Sequence, residues 1–133
     1  MNFFIRKNST LPILKMKLVQ DGRNDFRHLL RMLENCAITF SMKNSKNGVY
    51  KVANAVGKLI LRENVTGDVD HEYFIGYEFN ASDTNEIGVF TGEFNVKFYD
   101  SENNSTEIGD LKVPIKEEMY IHVIDSFTLA TSV

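Results

Sequence analysis

The chain has 133 residues, of which 43% are hydrophobic and 25% charged, so it can bury one hydrophobic core and is too apolar for a disordered chain. Its formal net charge is −3 and no segment is rich in lysine or arginine, which argues against a nucleic-acid partner. Because Cys36 is the one cysteine, no disulfide can form within the chain. Composition therefore predicts a single domain, 1–133, that folds in a reducing cytoplasm.

The N-terminal residues are apolar and then basic. Phe3, Phe4 and Ile5 precede Arg6 and Lys7. Three apolar residues are too few for the apolar region of a signal peptide and far too few to cross a bilayer. We therefore expect no membrane partner.

Two segments follow with different periodicities. Leu14, Met16 and Leu18 alternate with lysines, which is the pattern of a strand. Between residues 24 and 33 the apolar side chains recur at helical spacing instead, at Phe26, Leu29, Leu30 and Leu33. Asn24 or Asp25 can cap the first turn, so this segment predicts one short connecting helix.

The middle of the chain returns to strand signals. Residues 38–43 alternate apolar and polar, and residues 49–52 and 56–62 are further strand candidates. The Asn47-Gly48 pair between the first two predicts a tight type I′ hairpin turn, whose two central residues both need a positive φ.

The strongest periodic signal lies between residues 72 and 100. In its first half, apolar side chains occupy every second position, at Tyr73, Ile75, Tyr77 and Phe79. In its second half, one face carries Phe90, Phe94, Val96 and Phe98, and the other carries Thr91, Glu93, Asn95 and Lys97. Such rows predict strands with one buried and one wetted face. With Met119, Ile121 and Val123 near the C-terminus, seven or eight strands indicate an all-β sandwich or barrel.

One motif resembles a feature of immunoglobulin domains. Glu86-x-Gly88-x-Phe90-x-Gly92 has the spacing of the acidic-x-Gly-x-aromatic-x-Cys stretch that leads into a late immunoglobulin strand. Phe90 lacks the hydroxyl that makes the corner hydrogen bond there, and Gly92 stands in the place of the disulfide cysteine. The resemblance implies an immunoglobulin-like antiparallel β-sandwich without the antibody-type disulfide.

A wider resemblance covers residues 14–123. The strand ending in Met42-Lys43, the Asp83-Thr84 turn and the strand Gly88-x-Phe90-x-x-Glu93-Phe94-x-Val96 follow one another in an order that is similar to the N-terminal immunoglobulin-like domain of tailed-phage baseplate upper proteins. This resemblance implies a virion structural protein, assembled in the host cytoplasm, that binds other virion proteins and copies of itself. Since the chain ends at Val133, it favours a ring, connector or decoration subunit of the tail, baseplate or neck.

Catalytic and metal chemistry have few candidates in this sequence. The three histidines, His28, His71 and His122, fall in different elements without ligand spacing. Cys36 lies beside Ala37 and Ile38 and is interpreted as a small buried hydrophobe. The metal candidates are the alternating acids Asp68, Asp70 and Glu72, whose simpler interpretation is a solvated strand face. We expect no enzyme activity and no cofactor.

The chain ends are the candidate interaction residues. Residues 1–9 contain Phe3, Phe4 and Ile5, and the uncharged segment 127–133 contains Phe127 and Leu129. Each end either adds a strand to a neighbouring subunit or forms an edge strand of its own sandwich. The leading hypothesis is thus a homo-oligomeric phage tail, baseplate or neck subunit. The alternatives are a capsid decoration protein and a carbohydrate-binding adhesion module with exposed tyrosines.

Overall fold

The computed structural model describes residues 1–17, 36–62, 72–100, 106–114 and 117–125. These residues form nine β-strands: β1 (Asn2–Arg6), β2 (Leu14–Lys17), β3 (Cys36–Asn44), β4 (Tyr50–Val56), β5 (Lys58–Arg62), β6 (Glu72–Tyr77), β7 (Gly88–Tyr99), β8 (Glu107–Val113) and β9 (Met119–Ile124). The prediction of an all-β fold is confirmed. The helix predicted over 24–33 lies outside the described residues.

The strands form two sheets that share one core. A six-stranded sheet has the order β1-β9-β7-β3-β4, with β8 also paired to β7, and a three-stranded sheet has the order β2-β6-β5. β7 pairs with β3 along one side, while its other side pairs first with β9 and then with β8. Pairing is antiparallel except between β1 and β9, which run parallel. The sequence pattern did not predict this parallel pair.

The core lies between the two sheets and is rich in phenylalanine. The predicted row on β7 is confirmed, since its four apolar residues, Phe90, Phe94, Val96 and Phe98, are all buried. Phe40 of β3 stacks on Tyr77 of β6 with ring centroids 4.6 Å apart, and this contact joins the two sheets. Gly92 is buried in the same row, where Phe40 and two residues of β9 fill the space beside it.

The chain crosses from one sheet to the other at Gly57. The sequence predicted a single strand over 56–62, but β4 ends at Val56 and β5 begins at Lys58 in the opposite sheet. The amide of Gly57 donates to the carbonyl of Ile38, 2.8 Å away. A Cβ at Gly57 would lie 2.7 Å from Cγ2 of Ile38, so the crossing requires a residue without a side chain.

The hairpin between β3 and β4 differs from the predicted type I′ turn. Gly48 has a positive φ of 70°, whereas Asn47 does not. The loop is longer: the amide of Gly48 donates to the carbonyl of Asn44, and the amide of Asn44 donates to the carbonyl of Val49. The Asn44 side chain also accepts from the amide of Lys46, 2.8 Å away. This local bond stabilises the longer turn, which the Asn-Gly pair alone does not encode.

The connection from β6 to β7 is held by polar contacts beneath its surface. Tyr77 donates its hydroxyl to Oδ2 of Asp83 at 2.6 Å, and the same oxygen accepts the amide of Asn80. Thr84, which is fully buried, donates to the carbonyl of Ser9 at 2.8 Å. These contacts tie the connection to β6 and to the segment that follows β1.

Candidate interaction surfaces

The N-terminal segment forms an edge strand of its own sandwich. Of the two arrangements considered for residues 1–9, the structure has this one, because residues 2–6 pair with β9. Ile5 is buried in the core, and Phe3 packs against Phe79 with ring centroids 5.9 Å apart. Phe4 faces the opposite way and is 56% exposed. Among the three predicted interaction residues here, Phe4 alone is left on the surface.

The predicted C-terminal interaction residues, Phe127 and Leu129, lie outside the described residues. β9 ends at Ile124, at the same end of the sheet as Arg6, so the segment 127–133 begins close to the edge formed by β1. Its role in binding a neighbour stays a prediction.

The metal candidates are also only partly described. Asp68 and Asp70 lie outside the described residues, and Glu72 is the first residue of β6. Within the described ranges, no group of three or more histidine, cysteine, aspartate or glutamate side chains is arranged to hold a metal ion. The predicted acidic cluster is therefore not assembled by the part of the chain that the structure describes.

Two groups considered as catalytic candidates occupy packed positions. Burial raises the pKa of the Cys36 thiol, which favours the unreactive thiol over the thiolate. The ring of His122 stacks on Phe4 with centroids 4.6 Å apart, and its Nε2 lies 2.8 Å from Oδ1 of Asn2. His28 and His71 lie outside the described residues.

An exposed apolar surface lies at one end of the six-stranded sheet, on the face away from the core. Phe4 of β1 and Val89 of β7 both pair with His122 of β9, so the three side chains form a row across neighbouring strands. Val89 is 40% exposed, and Ile87 beside it is 50% exposed. Ile124, two residues after His122, is partly exposed on the same face. We call these five residues the outer patch.

A groove of about 490 Å³ lies on the same face, where β8 and β9 separate from β7. Its lining is mostly polar and includes Ser41, Lys43, Thr91, Glu93 and Glu118. Tyr50 lies at its side and is 62% exposed. The hydroxyl of Tyr120 on β9 donates to the carboxylate of Glu118, and this bond raises the pKa of Tyr120. The groove combines one exposed aromatic ring with hydrogen-bonding side chains.

Sequence reasoning missed the outer patch. The alternation of β7 placed Val89 on the side opposite Phe90, which was a signal that it faces solvent. Phe4 and His122 come from opposite ends of the chain and meet because β1 pairs with β9. Because parallel pairing joins distant segments, no local pattern could have found this patch.

Comparisons with protein-family models, with curated proteins and with solved structures found no match. Among the described residues, no helix is long and apolar enough to cross a membrane. The functional argument therefore depends on the fold and on the surfaces described above.

Proposed function

We propose that this chain is an immunoglobulin-like assembly subunit. The observation that carries the proposal is the strand order of the two sheets. In variable-type immunoglobulin domains one sheet contains the strands named G, F, C and C′, and the other contains B, E and D. Here β9-β7-β3-β4 correspond to the first set and β2-β6-β5 to the second, with β8 as an additional strand between F and G.

Two local features support the same topology without a disulfide. Gly92 stands where a cysteine would be, and side chains of Phe40, Met119 and Ile121 fill the space beside it. In place of a tyrosine on β7, Tyr77 on β6 bonds to Asp83 in the connection between the two strands. Packing and this hydrogen bond thus supply the stabilisation that the disulfide and tyrosine corner supply in antibody domains.

The assembly role extends the resemblance to tailed-phage baseplate upper proteins. The chain is proposed to be a virion structural protein of the tail, baseplate or neck, with a capsid decoration protein as the alternative within a particle. The outer patch supports an assembly role, because contiguous exposed apolar surface on a small domain indicates a protein interaction site. Its partners would be other virion proteins and copies of itself.

Particle composition tests this proposal. An antiserum raised against the purified chain is applied to tailed particles purified from the culture that carries the gene, with pre-immune serum as the control. We expect a band of the chain in the particle proteins and labelling at one defined position by electron microscopy. Absence of the chain from the particles would contradict a virion role.

A carbohydrate-binding adhesion module is the second candidate, favoured by the groove. Sugar rings stack on exposed aromatic side chains and bond to polar groups, and Tyr50 with the polar lining provides both. Tyr77, the tyrosine first considered for this role, is buried and cannot stack on a ligand. Glycan-array binding that Tyr50→Ala abolishes and Phe4→Ala retains would support adhesion, whereas binding insensitive to Tyr50→Ala would exclude the groove.

A further inference from the structure

We infer that the outer patch is the self-association surface of this chain, where a second copy packs face to face against the six-stranded sheet. The inference rests on the proposed assembly function and names the surface by which copies bind each other. The partner it commits to is a second copy, because the charges around the outer patch complement themselves when the face meets its own image.

The centre of the surface is apolar and outside the core. Phe4 and Val89 flank His122 on neighbouring strands, and all three side chains face away from the buried row. The stacked rings of Phe4 and His122 form a flat platform, since their planes differ by 17°. A flat apolar centre that a neighbour can desolvate is typical of the core of a protein interface.

Acidic side chains gather at the end of the sheet where β1 and β9 begin. Glu93, Glu117 and Glu118 are all exposed there. The N-terminal amine of Met1 lies 3.4 Å from the Glu117 carboxylate and offsets one of the three charges, and Lys43 on the groove wall offsets a second. This end therefore keeps a net negative charge.

Basic side chains gather at the opposite end of the same strands. Arg6 ends β1 and donates to the carbonyl of Asp125 at 2.6 Å. Lys7 bonds through its amide to Ile124, and Lys46 follows Ser45, whose amide bonds to Val89. The carboxylate of Asp125 offsets one of these three cations, and the end remains net positive.

This distribution selects one arrangement of two copies. A two-fold axis that lies in the interface and runs across the strands reverses their direction in the second copy. The basic end of each copy then lies over the acidic end of the other, and the outer patches meet near the axis. Because a two-fold interface uses the same surface twice, both charge contacts form at once. An axis along the strands would instead place like charges together.

Sedimentation equilibrium of the purified full chain tests the inference. We expect a concentration-dependent dimer whose dissociation constant rises about 30-fold or more in Phe4→Lys and in Val89→Lys, as for central interface residues. The matched control is Val56→Lys, an 82% exposed valine on β4 outside the outer patch, which should change the constant less than about twofold. Unchanged thermal unfolding would show that the variants fold, because the substituted side chains lie outside the core.

A charge reversal tests the orientation of the second copy. Arg6→Glu and Glu118→Lys should each weaken the dimer, and the double variant should recover most of the loss. A wild-type chain that stays monomeric in the millimolar range, or a dimer that Phe4→Lys and Val89→Lys leave intact, would overturn the inference. If such a monomeric chain is still found in purified particles, the assembly function stands and this surface alone fails; a dimer absent from particles gives the reverse result.

Discussion

The two faces of the six-stranded sheet differ in what they contribute. Along β7, the buried face carries Phe90, Phe94, Val96 and Phe98, and the next residue in each case faces outward, at Thr91, Asn95, Lys97 and Tyr99. The buried face packs against the three-stranded sheet and contributes stability. The outer face carries the outer patch and the groove, which are available to partners. Adjacent positions on one strand therefore serve separable properties, and substitutions can test each face alone.

The largest expected effect is on the buried face at Phe40. Its side chain is fully buried and contacts the rings of Tyr77, Phe79 and Phe94. Phe40→Ala should lower the free energy of unfolding by about 3–5 kcal/mol through lost burial and the cavity left behind. Urea titration measures the change, with Thr39→Ala on the outer face as the control. Similar losses in both variants would contradict the division between the faces.

Gly92 tests the same face by adding volume. A Cβ there would lie 2.4 Å from Cδ1 of Ile121 and 3.1 Å from Cε1 of Phe40. Gly92→Val should therefore destabilise the fold by about 1–3 kcal/mol through overpacking. Glu93→Val, one residue later on the exposed side, should leave the midpoint of chemical unfolding nearly unchanged. A neutral Gly92→Val would mean that the core beside it is loosely packed.

The bond between Tyr77 and Asp83 tests a polar group at the edge of the buried face. Asp83→Ala removes the acceptor of both the Tyr77 hydroxyl and the Asn80 amide. We expect a loss of about 1–3 kcal/mol in the free energy of unfolding, because these donors lose their partner. Asp83→Asn keeps a carbonyl oxygen at this position and should recover part of the loss in the same assay. Equal losses would show that the charge, and not the acceptor, is required.

Tyr77 also predicts a dependence of stability on alkaline pH. Burial, followed by the bond to and the charge of Asp83, raises its pKa above the ordinary 10.0. The unfolded chain therefore loses this proton first, so the contribution is full below pH 10 and is lost as the pH rises above it. The stability difference between wild type and Tyr77→Phe should shrink above pH 10 when thermal unfolding is followed across this range. A constant difference would contradict this assignment.

The smallest effect is expected on the outer face away from the outer patch. Lys97 projects from β7 on the side opposite its two neighbours in the chain, Val96 and Phe98, which belong to the buried row. Lys97→Ala should change the free energy of unfolding by less than about 0.5 kcal/mol, since its head group is hydrated in both states. Differential scanning calorimetry can detect a larger shift, which would place Lys97 in an interaction that stabilises the fold.

Much of the strand pattern could be predicted from local sequence. The alternation in β3, β7 and β9 identified which side chains are buried, because a strand places every second side chain on the same face. The crossing at Gly57 could not be predicted, since Val56 to Arg62 is apolar enough to resemble a continuous strand. The Asn44 turn was missed because the Asn-Gly pair indicated a shorter loop.

The sequence by itself determined an all-β chain, a phenylalanine-rich core and the absence of an intrachain disulfide, because these depend on composition and on the period of two along each strand. The tertiary structure decided which strands are neighbours. It placed β1 beside β9 and so brought Phe4 onto His122, and it oriented the acidic and basic ends of one face in opposite directions. Pairing between segments from opposite ends of the chain depends on the whole packed core, which no local pattern encodes.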